Sequence, residues 1–454
     1  MAQSFLNVMW HAVGGSDALL ESVTVTGHGQ LPSAFKVSDL ATAAIATSGL
    51  ALAELSGQAT GARARVTVDR RLASFWFLWS LRPIGWTMPA PWDPIAGDYE
   101  AKDGWIRLHT NAPHHREATQ RVLGMHNDKT AMAAAVRGWE KGALEQAIVA
   151  DGGCAAEMLS LLEWQQHDQG LAVASDPLVL CDTCLRGSDL EWRPQPGRPL
   201  KGLRVLDLTR VLAGPIATRF LAGYGAEVLR IDPPHWDEPA VVPEVTLGKH
   251  CSRLDLMRPK DRILFEELLS GADILIHGYR ADALAALGYD KARRQALSPG
   301  LVDVSLDAYG WSGPWRDRRG FDSLVQMSSG IAEAGMAWKQ ADKPVPLPAQ
   351  ALDHATGYLM AAAAIRGISQ RLATGEVMRS RLSLARMARL LTEAGPQEYR
   401  SAFALETEDD QASLIEKTFW GEARRLKPPV EIAGSAMAWD RPAAPLGSAP
   451  ARWG

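Results

Sequence analysis

From Leu203 to Leu306 short apolar runs alternate with helical segments, and few folds accept that rhythm. Leu203 to Leu208 (L-R-V-L-D-L), Ala226 to Asp232 (A-E-V-L-R-I-D), Asp273 to His277 and Leu301 to Leu306 read as buried strands. Helical stretches at Ile216 to Gly225, 259–270 and 281–287 lie between them. Strands and helices in that order predict an α/β fold, a Rossmann-like parallel sheet with helices on its faces. In such a sheet ligands gather at the carboxyl ends of the strands. Arg210, the 247–250 loop and the stretch His277 to Arg280 fall there. No G-x-G-x-x-G follows the first strand and no G-K-[ST] occurs, which argues against a dinucleotide cofactor and a P-loop.

The 454 residues exceed what one core usually organises, so at least two domains are expected. A formal net charge of −4 supplies neither a basic field for nucleic acid nor a polybasic membrane anchor. No apolar run approaches the roughly 18–20 residues of a spanning helix. The first ten residues, M-A-Q-S-F-L-N-V-M-W, lack the basic and apolar regions of a signal peptide. With four cysteines no disulfide framework is expected, and a cytoplasmic protein with reduced thiols is. Sixteen tryptophans against nine phenylalanines is an unusual ratio without a periodic pattern.

Outside the alternating region the chain repeats itself. The stretch from Pro348 to Gly375 holds one acid, Asp353, ahead of a small-residue helical run that stops at Thr374-Gly375. A carboxylate at a helix start is either an N-cap or, in a dry site offered an acyl group, a nucleophile. Asp39 to Gly61 reproduces the pattern: both segments begin D-x-A-T, and both span 22 positions (61 − 39 and 375 − 353). Beyond the glycines the register is expected to slip by about two residues.

Residues 82–98 are dense in Pro, Gly and Trp and read as an irregular linker on a surface. Gly104 to His109 reads as a strand, and a helix follows near Arg116 to Leu123. His109, His114 and His115 lack a partner at ligand spacing, so no metal site is expected. Cys181-Asp182-Thr183-Cys184 is a lone CxxC without a second pair and reads as a solvated loop. The Pro- and charge-rich residues 186–200 mark a boundary. The expected organisation is thus an N-terminal helical segment (1–81) and a small α+β domain (82–190). A Rossmann-like domain (197–390) and a C-terminal tail (391–454) that packs back on it complete the chain.

Several segments together resemble the class III CoA-transferases, a family that includes the carnitine dehydratase-like proteins and the α-methylacyl-CoA racemases. They are L-R-V-L-D-L-T-R-V-L-A-G-P, G-A-E-V-L-R-I-D-P-P, L-G-K-H-C-S-R-L-D-L, A-D-I-L-I-H-G-Y and Y-G-W-S-G-P-W-R-D-R-R-G-F-D-S-L-V-Q-M-S-S-G. With the Asp353 stretch they cover about 200 to 390 in the family's order. The C-terminal W-D-R-P-A-A-P-L-G is similar to the family's chain end.

The resemblance implies a Rossmann-like domain plus a smaller domain, in chains that interlock as a homodimer. It implies acyl-CoA and carboxylate substrates and no tightly bound cofactor. Asp353 matches the family nucleophile, which forms an acyl anhydride and then an aspartyl-CoA thioester. Lys249 and Arg319 fall at positions that contact CoA phosphates. Arg210, Val211 and Ala213 occupy the loop that lines the CoA site, and Gly278 and Tyr279 a pair beside it, where Tyr279 either stacks on adenine or is a core residue. Two features depart from the pattern: Ala286 stands where some members carry Arg, and the approach to Lys249 is T-L-G-K-H-C-S.

The order is also unusual, because a small-domain-like segment (W-D-P-I-A-G-D-Y to D-G-W-I-R-L-H) precedes the Rossmann-like part. The chain is either a rearranged single unit or a fusion of two. On this reading Asp353 is the working carboxylate and Asp39 a structural cap. A racemase needs an Asp–His pair, but the family's G-H-D is Gly320-Phe321-Asp322 here, so transferase is favoured. A non-catalytic CoA-binding homologue is the third reading.

Overall fold

The structure, a computed structural model, describes residues 2–61, 64–184, 190–278, 283–398 and 404–454. Its centre is a seven-stranded sheet. In chain order the strands are β1 (Leu180–Cys184), β2 (Arg204–Leu208), β3 (Glu227–Asp232), β4 (Lys249–Arg253), β5 (Ile274–His277), β6 (Val302–Asp307) and β7 (Val377–Ser383). In space they run β4-β3-β2-β5-β6-β7-β1, all parallel except β1, which is antiparallel to β7. The interior strands are almost wholly buried, as a parallel sheet covered on both faces requires. This is the Rossmann strand order, and it reverses between β2 and β5. The loops after those two strands diverge there and leave a crevice.

Helix Ala213–Gly223 follows β2 and is buried along its whole length. It is sandwiched between the sheet and the long helix Ala351–Thr374. Close approach depends on Gly357, where an added Cβ would lie 2.3 Å from the Ala213 carbonyl oxygen. The long helix packs in turn against helix Val37–Thr60, and the Ser48 hydroxyl donates to the Tyr358 carbonyl at 2.6 Å.

These two helices are structural repeats. Each has 24 residues, enters through a residue of similar backbone geometry and ends at a left-handed glycine: Lys36 (φ −76°, ψ 56°) and Gly61 (φ 69°), against Gln350 (φ −74°, ψ 63°) and Gly375 (φ 73°). Each is followed by a strand, Val66–Asp69 or β7, and directly by another helix, Arg70–Leu78 or Leu384–Glu393. The expected register slip is absent. The capping residues Asp69 and Ser383 both lie eight positions beyond the glycine (69 − 61 and 383 − 375).

Strand directions repeat as well. Val23–Thr26 runs parallel to Val66–Asp69, and Val430–Ile432 is antiparallel to it. Likewise β6 is parallel to β7 and β1 antiparallel to it. The C-terminal region therefore closes the N-terminal sheet, while a strand from ahead of the Rossmann-like part closes the large one. The tail also forms a hairpin, Gln411–Thr418 with Gly421–Leu426, that pairs with Leu81–Pro83. Trp439 and Trp453 lie against the large sheet's helices, donating to the Arg219 and Leu268 carbonyls. The small α+β part has its own sheet, Gly97–Ala101, Gly104–Leu108 and Ala155–Glu157, and its own core around Tyr99, Ile106, Leu144 and Ile148.

Three local expectations change. Cys181-Asp182-Thr183-Cys184 is not a loop but most of β1, paired residue for residue with β7. The small part therefore gives up its last strand to the large sheet. Helix Val37–Thr60 contains a stretch, Val37–Gln58, long and apolar enough to cross a membrane by length and composition, and 83% of that window is buried inside the protein. The small side chains that raise its hydropathy are those that let it pack against the Asp353 helix. Neither Asp353 nor Asp39 is an N-cap: both sit in the first turn, and the capping positions are Gln350 and Lys36.

Candidate active site

The loop after β2 enters the site under strain. Val211 adopts φ 63°, a left-handed conformation that costs a β-branched residue roughly 1–3 kcal/mol. Its N–H donates to Glu238 Oε2 at 2.8 Å. Glu238 is fixed by Arg230 Nη2 (2.5 Å) and by Trp236 Nε1 (2.9 Å). The Arg210 guanidinium lies over the Trp236 ring, 4.4 Å from its centroid.

Asp353 reaches the same place from the long helix and is buried. Its backbone N–H donates to Asp322 Oδ2 at 2.9 Å, and the Gln326 amide donates to Asp322 Oδ1. Asp322 stands at the start of helix Asp322–Ser328. Burial and the neighbouring Asp322 push the Asp353 carboxyl well above the ordinary carboxylate range. Burial also raises Asp322, to about 6. Two acids in one dry site cannot both ionise cheaply. The resting site favours a protonated Asp353, and any reaction at its oxygen begins by losing that proton.

Two cavities meet at this carboxyl. The first, of about 320 Å³, is bordered by Arg210, Val211, Ala213, Gly278, Arg319 and Asp353, and also by Arg316 and Arg318. Arg318 is committed to Glu145 at 2.7 Å and stacks over Trp315. Burial, then the nearby Arg319 and Arg210, push the His114 imidazole below its ordinary value, so the positive potential is felt within the cavity. The second cavity, of about 550 Å³, is walled by Phe77, Trp79, Trp92, His109, Trp236 and Phe321 among others. Val211, Trp236, Phe321 and Asp353 border both.

Six of the eight residues expected in the site are therefore brought together. Lys249 is not among them. It opens β4 and pairs in register with Val228, near the amino ends of the neighbouring strands. Its ammonium is buried and donates to Asp207 Oδ2 at 3.0 Å and to the Pro215 carbonyl at 2.9 Å. Burial opposes ionisation of Asp207, yet Lys249 and Arg230 hold that carboxyl below its usual value. Lys249 is thus a core counter-ion rather than a phosphate contact. Tyr279 lies outside the described residues.

Sequence reasoning missed Asp322 as the partner of Asp353, and Trp236 and Glu238 as the support of Val211. The G-F-D segment was the signal for Asp322; no spacing pointed to the other two. His109, His115 and His354 are all in or beside the cavities. Burial lowers each of them, His115 and His354 to about 3, and none offers a charge at neutral pH.

Residues 200–417 match the CoA-transferase family III profile. The acetyl-coenzyme A transferase nodX of Hypoxylon pulicicidum is 32% identical over 194 residues, which is 42% of this chain and 33% of that protein. The succinyl-CoA:glutarate CoA-transferase of Mus musculus is 30% identical over 192 residues, 39% of this chain and 44% of its own length. The solved structure of Rv3272 from M. tuberculosis is 28% identical with a TM-score of 0.40, covering 43% of this chain and 56% of that one. The chain thus spans about a third to a half of the length of these curated relatives. Over residues 200–417 it is similar to CoA-transferase family III.

Proposed function

We propose that this protein moves CoA between an acyl-CoA thioester and a carboxylic acid, with Asp353 as the nucleophile. The observation that carries the proposal is the position of that carboxyl at the seam between a cationic and an apolar cavity. Arg210, Arg316 and Arg319 face the phosphates of CoA, which needs no resident cofactor beside it. The Asp353 carboxylate attacks the thioester carbonyl, giving a mixed anhydride and CoA thiolate. The thiolate then attacks the aspartyl carbonyl, releasing the first carboxylic acid and leaving an aspartyl-CoA thioester. The acceptor carboxylate attacks that thioester, forming a second anhydride and thiolate. Attack of the thiolate on the new acyl carbonyl gives the product and restores Asp353. Each step exchanges one acyl bond for another, so water is the competitor to exclude, and burial serves that end.

The test is trapping. Incubation with acyl-CoA followed by hydroxylamine should convert Asp353 to a hydroxamate, read by peptide mass spectrometry. A protein that binds CoA but is never modified there is a CoA-binding homologue and not a transferase. The homodimer of the family stays part of the proposal.

One observation favours a racemase-like alternative. The His109 ring stacks on Phe321 with centroids 3.8 Å apart, so a neutral imidazole lies against the residue that replaces the family's histidine. Exchange of the substrate α-proton in deuterated water without CoA transfer would select that reading.

A further inference from the structure

The two cavities that meet at Asp353 differ in charge, and the difference bears on the acyl group. It rests on the transferase reading above. Among the described residues, no lysine or arginine lines the larger cavity. Its walls carry Phe77, Trp79, Trp92, Trp236 and Phe321, and its volume of about 550 Å³ is well inside the range of pockets that enclose a whole small ligand.

The acids that border it offer a carboxylate no attraction. Asp93 accepts from the Thr110 hydroxyl (2.7 Å) and Arg116 (3.1 Å), and Glu238 is taken up by Arg230, Trp236 and the Val211 N–H. Asp237 is exposed at the rim and adds negative charge. The two histidines in the wall, His109 and His354, are kept neutral by burial. A second carboxylate on an acyl chain entering this space would lose its water and meet rings, acids and the neutral side chains of Asn111, Ser323 and Gln350, with no cation in the wall to compensate its desolvation. An alkyl or aryl chain would instead bury apolar surface against three indoles. Arg107 stacks behind Trp92 and Arg116 is held by Asp93, but neither lines the space. The guanidinium groups that do line a cavity here, Arg210, Arg316, Arg318 and Arg319, border the smaller one, where the phosphates of CoA need them.

We infer that the larger cavity is the acyl chamber and that it selects medium-length alkyl or aryl monocarboxylic acyl groups over acetyl and over dicarboxylic ones. Selection comes from two sources: an unpaired buried carboxylate is rejected strongly, and each methylene missing from a short chain lowers binding about fourfold.

The rate of Asp353 hydroxamate formation with octanoyl-, phenylacetyl-, acetyl- and succinyl-CoA tests this, alongside calorimetric titration of the full-length protein with octanoate, phenylacetate and glutarate. Octanoyl- and phenylacetyl-CoA should label at least about tenfold faster than acetyl-CoA, and about 100-fold faster than succinyl-CoA. Octanoate and phenylacetate should bind at concentrations where glutarate does not. If succinyl- or acetyl-CoA labels Asp353 as fast as octanoyl-CoA, the chamber assignment falls and the transferase reading stands. If no thioester labels Asp353, the transferase reading falls and the titration alone decides. In that case glutarate binding as tightly as octanoate, or neither binding, overturns the chamber.

Discussion

Asp39 and Asp353 occupy the same position in two copies of one helical frame, and their surroundings set them apart. Both lie in the first turn of a 24-residue helix that ends in a left-handed glycine. Thirty-one positions later (70 − 39 and 384 − 353) each copy places the first residue of the next helix. In the first copy that residue is Arg70, whose guanidinium donates to Asp39 Oδ1 at 2.7 Å. In the second it is Leu384, which borders the cationic cavity together with Asp353. Among the described residues no cation pairs with Asp353; Asp322 accepts from its N–H instead. One carboxylate is neutralised as a structural ion pair, and the other is buried beside a second acid, its pKa pushed up, and faces open space. A frame that brings an acid to a helix start is therefore common to both, and the residue opposite decides whether the acid is held or available.

The comparison breaks most sharply at the acids themselves. Asp353→Asn should lower CoA transfer by roughly 10⁴ or more, as loss of a covalent nucleophile does, whereas Asp39→Asn should leave the rate within about twofold. Steady-state transfer assays on both variants check this.

Leu384→Arg makes the second copy resemble the first. A guanidinium within reach of Asp353 stabilises its carboxylate and so weakens it as a nucleophile. Transfer should fall roughly 10–100-fold, the worth of one charge-assisted hydrogen bond. An unchanged rate would show that the residue at 384 does not set the difference.

Asp322→Asn sharpens the same point through pH. The reactive form of Asp353 is ionised, so the rate falls as pH drops through its raised pKa. Burial remains in the variant, but the like charge is gone, so the acid limb of the pH–rate profile should move to lower pH. The carboxamide oxygen still accepts from the Asp353 N–H, and the plateau rate should change less than about tenfold.

The smallest effect on activity is expected from Arg70→Leu, which should leave transfer unaltered. It strands Asp39 in a nearly buried site and should cost about 1–3 kcal/mol of stability, measured by urea unfolding.

Much of the frame was legible. Runs such as L-R-V-L-D-L can only be strands buried on both faces, and the Thr-Gly stops placed both long helices to within a residue or two. The D-x-A-T repeat was visible because both copies need the same small residues to pack against each other. The charge pairing was not. Lys249 matched a family position on sequence, yet β4 begins at that residue and points its ammonium into Asp207. The CxxC loop was misread because β1 has little strand character of its own and is held by the ladder it forms with β7. The tryptophans had no explanation as a sequence; Trp79, Trp92 and Trp236, far apart along the chain, line one chamber.

The sequence by itself determined the alternating α/β core, the duplicated helix and the acid at the start of each copy, since periodicity, small residues and glycine stops act locally. Tertiary structure alone decided which acid is paired with a cation and which faces a cavity. Ionisation and reactivity depend on what lies within a few ångströms, and for Asp353 those neighbours come from the loop after β2, the Asp322 helix and the small α+β part. No local pattern in the chain encodes that convergence.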